Sequence, residues 1–137
     1  MKQVIRASLL SLFLVASVST YAGGTTPLID HAKVSFSVLP DRALTPAKVR
    51  EAIAASGLKH GWAVVAETPG HLTLSNTIRD TFKVVIDVTY DESGMQVDYV
   101  SSENLNFKTY KGVRYIHPKY NKWVNMLMQG VTTRLSY

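Results

Sequence analysis

The chain contains no cysteine. That excludes disulfides, thiolate metal sites, a cysteine nucleophile and a lipidated N-terminal cysteine. An oxidising compartment stays open, with the domain held together by its core alone. The apolar run at 7–18 is about a dozen residues, short of the roughly 20 that a spanning helix needs. No two of the four histidines (His31, His60, His71, His117) stand at i, i+4, so the usual spacing of a metal site is missing. There is no Gly-x-Ser-x-Gly elbow and no Gly-rich phosphate loop. Repeats, linkers and low-complexity tracts are also lacking. Most telling, no acidic residue follows Glu103.

What is present starts with an export signal. Lys2 and Arg6 precede the apolar run, and Thr20-Tyr21-Ala22 leads into Gly23. This predicts a signal peptide over 1–22 with cleavage near Ala22, one mature domain over 23–137, and a periplasmic or secreted location. The mature segment carries 13 basic and 10 acidic residues, a net +3. Residues 23–103 hold 7 basic and 10 acidic, while 104–137 hold Lys108, Lys111, Arg114, Lys119, Lys122, Arg134 and no carboxylate side chain. That asymmetry points to an anionic partner at the C-terminal end, or to two halves whose charges meet in the fold.

The strongest periodic stretch is 116–135. Tyr120, Trp123, Val124, Leu127, Met128, Val131 and Leu135 fall on one face of a 3.6-residue period, behind Pro118 as an opening residue. Gly130 lies off this stripe, either as a close-packing site or as a soft spot. Residues 23–29 read as a mobile leader. Ala32, Val34, Phe36 and Val38 alternate as a strand that Pro40-Asp41 ends. Thr45-Pro46 then predicts an N-cap and the first position of a helix with Val49, Ile53 and Ala54 inside, closed by Gly57 or Gly61. Four strands follow, through Trp62, through Leu72 and Leu74, over 82–90, and over 95–102, with Asp91-Glu92-Ser93-Gly94 as a hairpin loop. A polar loop leads to the last helix. The expected fold is α+β: an antiparallel sheet of about five strands with two helices on one face, in the order strand, helix, four strands, helix.

Several motifs resemble a family of small exported bacterial proteins, often labelled only as lipoproteins and with no established activity. They are Gly61-Trp62, Val84-x-Ile86 with Tyr90, Tyr99 with Ser101-Ser102, Asn104-Leu105, and Ile116-His117-x-x-Tyr120-Asn121-x-Trp123-Val124 with Leu127. The resemblance spans nearly all of 23–137, and its most specific part is the Tyr-Asn-x-Trp-Val block. The chain departs from a lipoprotein in lacking the anchoring cysteine, which favours a soluble exported form. The resemblance implies no catalytic residue.

The functional candidates are Lys108, Lys111, Arg114, His117, Lys119 and Lys122, interleaved with Tyr110, Tyr115 and Tyr120. Cations in a first helical turn are disfavoured by about 0.3–1 kcal/mol each. Lys119 and Lys122 there suggest a helix end used for an anion with Arg114 nearby, or two lysines solvated in water. The leading expectation is an envelope binding or accessory protein, not an enzyme. Its partner would be a lipid headgroup, a lipopolysaccharide phosphate or a cell-wall polymer. The alternative is a protein–protein module, an inhibitor or assembly factor, using the open sheet face or an edge strand. A cell-envelope enzyme ranks third: Asp87, Asp98 and Glu103 are exposed carboxylates without the burial that tunes an acid. No cofactor or metal is expected. Nucleic acid is disfavoured by the export signal, although the tyrosines could stack bases. The oligomeric state is left open.

Overall fold

The structure, a computed structural model, describes residues 24–37 and 43–136. The expected signal peptide over 1–22, Val38 and the expected strand end at Pro40-Asp41 lie outside the described residues. The fold is α+β, with two helices and two antiparallel sheets. In chain order the elements are β1 (Thr26–Pro27), β2 (Val34–Ser35), α1 (Pro46–Lys59), β3 (Trp62–Thr68), β4 (His71–Ile78), β5 (Phe82–Asp91), β6 (Gly94–Glu103), β7 (Lys108–Tyr110), β8 (Val113–Ile116) and α2 (Lys119–Leu135). The larger sheet runs β2-β6-β5-β4-β3 and the smaller β1-β8-β7.

Alternation builds the large sheet. Leu72, Leu74, Val84, Ile86, Val88, Met95 and Val97 point to one face and are at most 2% exposed. The helices supply Val49, Ile53, Tyr120, Val124, Leu127 and Val131 to the same core. Two bulges interrupt the alternation. Val65 is the extra residue between the Val64–Leu74 and Ala66–Thr73 pairs. Val100 is the extra residue between the Ile86–Tyr99 and Val85–Ser101 pairs. Both are exposed, because the ladder leaves a bulged residue unpaired. In β3 the bulge brings Glu67 opposite Leu72, on the helix side, where Arg50 of α1 bonds it through Nε at 2.7 Å. A bulge and an inward charge are two devices that blunt an edge strand against pairing with another chain.

Thr45 caps α1, its hydroxyl accepting from the Lys48 amide at 3.2 Å. Gly61, at φ +90°, ends it; Gly57 is instead buried in the helix, where a Cβ would stand 3.2 Å from Trp62 Cβ. Gly130 is a close-packing site: a Cβ there would collide with Ser56 Oγ, which donates to the Leu127 carbonyl at 3.3 Å. Trp62 is 1% exposed with its indole N–H unpartnered, a cost of about 1–3 kcal/mol.

Three expectations are corrected. The leader is anchored, since Thr26–Pro27 form β1 and Leu28 is buried. Asn121 explains this: its side chain accepts from the Ile29 amide at 3.0 Å and donates to the Pro27 carbonyl at 3.1 Å. Amide-to-backbone pairing of this kind substitutes for a strand ladder. The first alternating strand shortens to Val34–Ser35, with Ala32 exposed. The polar loop before the last helix contains the hairpin β7–β8. Its strands, of three and four residues, are too short to show a period. Ahead of it, Asn104 and Asn106 take positive φ (63° and 55°) on either side of buried Leu105. Asn tolerates that region better than other side chains, so the chain can turn twice around one apolar anchor.

Candidate functional site

The six basic candidates are distributed rather than gathered. Arg114, on β8, bonds the Asp30 carboxylate. One charge of the acid-free segment is thus met from the other half of the chain. His117 is a capping residue: its Nδ1 accepts from the Lys119 amide at 3.1 Å and its carbonyl accepts from the Tyr120 amide at 3.0 Å. Two of the amides at the start of α2, those of Lys119 and Tyr120, are therefore already engaged. Lys119 Nζ lies 6.0 Å from the centre of the Phe82 ring, at the outer limit of a cation–π contact. Lys122 is exposed on α2.

Lys108 and Lys111 remain together on the β7–β8 hairpin. Tyr110 pairs with Val113 across a two-residue loop, Lys111-Gly112, with φ of 51° and 78°. This is the type I′ sign pattern, whose first central position favours Asn, Asp or Gly. Lys111 Nζ lies 5.3 Å from the Tyr110 ring centre. Tyr110 is 57% exposed, Val113 42% and Phe107 38%. Phe107 fixes the base of the hairpin by stacking on Tyr99 at 4.5 Å; Tyr99 meets Tyr120 edge-on at 5.6 Å. Burial pushes both tyrosine hydroxyls above their ordinary range, and a 2.7 Å bond between Tyr99 Oη and Ser102 Oγ partly opposes this for Tyr99. Neither lysine has an ion-pair partner among the described residues. The hairpin is thus a cationic, partly apolar edge on a rigid aromatic base.

The outer face of the large sheet is exposed or half-buried along β4 to β6. Asp87 and Asp98 are direct cross-strand partners there. Thr73 Oγ1 donates to Asp87 at 2.8 Å, His71 Nε2 lies 3.4 Å from it, and Gln96 donates to Asp98 at 3.3 Å. Like charges directly opposite are destabilising, and these neighbours offset the repulsion locally. Among the described residues no three His, Asp or Glu side chains converge as metal ligands, and no helix is long and apolar enough to cross a membrane.

A groove of about 370 Å³, not anticipated from the residue pattern, lies between the last turns of α1 and α2, lined by Lys59, His60, Gln129, Gly130, Thr133 and Arg134. A glycine inside an otherwise periodic helix was its only trace. Comparison with known proteins finds no matching family model, no matching curated protein and no matching solved structure.

Proposed function

We propose that this chain is a small exported envelope protein that engages an anionic lipid surface through the β7–β8 hairpin. The observation behind the reading is Lys111. It occupies a left-handed position at the hairpin tip, where a non-Gly residue costs about 1–2 kcal/mol and Asn would cost less. A cation kept at such a cost, between exposed Tyr110 and Val113, suits an interface that attracts Lys and accepts aromatic and aliphatic side chains. A purely polar polymer would use the charges and leave the apolar surface without a role.

Each lysine near an anionic leaflet contributes about 1 kcal/mol. Lys108→Gln with Lys111→Gln is therefore expected to weaken binding to anionic vesicles roughly thirty-fold, from about 2 kcal/mol. Cosedimentation with phosphatidylglycerol vesicles against phosphatidylcholine vesicles, at two salt concentrations, measures it. Equal binding of native and variant protein would sink the proposal. Lys111→Asn separates fold from function: it should gain about 0.5–1 kcal/mol in urea unfolding through a better turn residue, yet lose vesicle affinity.

A second reading, a protein–protein module using the open sheet face, draws on the Asp87–Asp98 pair. A cationic side chain from a partner would relieve that repulsion. It predicts stoichiometric capture that Asp87→Asn with Asp98→Asn abolishes and the hairpin variant leaves intact.

A further inference from the structure

We propose that the groove between the C-terminal turns of α1 and α2 is a second anion site, shaped for a phosphate monoester with a short organic body. It shares no residue with the hairpin and stands independently of it.

Charge is the first argument. Lys59 and Arg134 line the groove with His60, and no carboxylate pairs with any of them among the described residues. The bland explanation is that cations complement helix C-termini. Two such ends carry roughly −0.5 each, about −1 together. Lys59 and Arg134 carry +2, so about one positive charge is in excess. The helix ends account for only part of the charge gathered here.

Geometry is the second. His60 Nε2 is turned toward Gly130: a Cβ on Gly130 would lie 3.5 Å from it. That same Cβ would strike Ser56 Oγ, so any side chain at 130 would fill the floor. Glycine here both lets the helices touch and leaves the depression open. Ser56 is 1% exposed and its hydroxyl is committed to the Leu127 carbonyl, so it forms floor rather than ligand.

Donor chemistry is the third. The ammonium of Lys59 and the guanidinium fork of Arg134 offer several charge-assisted donors, and Thr133 and Gln129 add neutral ones. A dianion with three terminal oxygens uses such a set more fully than a carboxylate does. The volume falls within the roughly 300–1,000 Å³ of small-molecule sites, larger than a bare phosphate requires. Met126, 39% exposed at the rim, offers an adaptable apolar contact for the rest of the molecule.

The test is an amide and imidazole NMR titration of the protein with glycerol 3-phosphate, with sodium chloride at matched ionic strength as control. Saturable shifts at His60, Gly130 and Thr133 are expected. Lys59→Gln with Arg134→Gln should weaken binding at least tenfold, and Lys108→Gln with Lys111→Gln should leave it unchanged. Lys59→Arg with Arg134→Lys keeps both charges at the helix ends and should retain binding, which separates lost ligation from lost folding. Vesicles containing phosphatidic acid, a lipid monoester, against phosphatidylglycerol, a diester, distinguish a membrane headgroup from a soluble ligand. Shifts that rise linearly, that chloride reproduces, or that survive in the doubly neutralised variant would overturn the proposal.

Discussion

Shortening Leu127 to alanine should cost about 2–5 kcal/mol, with the result in the upper half of that range. Leu127 is fully buried at the middle of the α2 stripe. It faces α1 at Gly57, where a Cβ would sit 3.8 Å from one of its methyls. The cost of such a truncation depends on how far the surroundings can collapse. Here they cannot collapse far, because Ser56 and Gly130 already bring the two helices into contact beside it. The cavity therefore stays open. At about 4 °C per kcal/mol for a domain of this size, a loss in that upper half should lower Tm by roughly 14–20 °C. The control is Met126→Ala, one residue earlier and exposed, expected within about 0.5 kcal/mol. Urea unfolding with an unchanged m-value would assign the loss to the native packing. A loss below about 1 kcal/mol at Leu127 would show that the helices are not held as described.

The same residue shows how much of the fold is legible from sequence. The periods of 3.6 and 2 are written into side-chain chemistry over α2 and β5, so those elements, their inner faces and the α+β layering can be read without coordinates. Three kinds of feature cannot. Val100 sits on a strand whose alternation predicts one more ladder residue; a bulge is a matter of register between two strands and leaves no mark in one. Asn121 reads as a polar residue early in an amphipathic helix, yet it clamps Pro27 and Ile29, more than ninety positions away. This gives the Tyr-Asn-x-Trp-Val block a structural role: Tyr120 and Val124 are core, Trp123 packs against it, and Asn121 ties down the segment before β2. The candidate site divides for the same reason. The basic composition of 104–137 is visible in the sequence, but that Arg114 meets Asp30, and that His117 caps a helix, depends on contacts made only in the folded chain.

Gly94→Ala should detach β2 from the large sheet. Gly94 opens β6 and pairs with Ser35. A Cβ on it would strike the Val34 carbonyl oxygen, with the carbonyl carbon at 3.2 Å and Lys33 Cε at 2.9 Å. The lysine carbon can move aside; the peptide group cannot without breaking the ladder. This differs from Gly130, where the obstructing atom is a serine hydroxyl that can rotate at the loss of one hydrogen bond. Overpacking of this kind costs about 1–3 kcal/mol, and here leaving the sheet is the simplest escape. Departure would also release the Phe36 amide from the Ser93 carbonyl (2.9 Å) and Lys33 Nζ from Asp91 (3.1 Å). Asp91 would keep its own turn, since its Oδ1 still accepts from the Ser93 hydroxyl and from the Ser93 and Gly94 amides. These bonds, the Ser93 hydroxyl foremost, hold its carboxyl well below the usual carboxylate range. The expected signature in amide exchange is therefore local. Phe36 loses protection while Ile86 and Val88, in the sheet centre, keep theirs, because opening free energies vary across a domain and need not reach the global value. The freed edge of β6 at Gly94 and Met95 would then be open to another chain, so concentration-dependent self-association should accompany the exchange. Unchanged protection at Phe36 in the variant would show that β2 tolerates the methyl, and that the close approach of Val34 to Gly94 is not what fixes this edge.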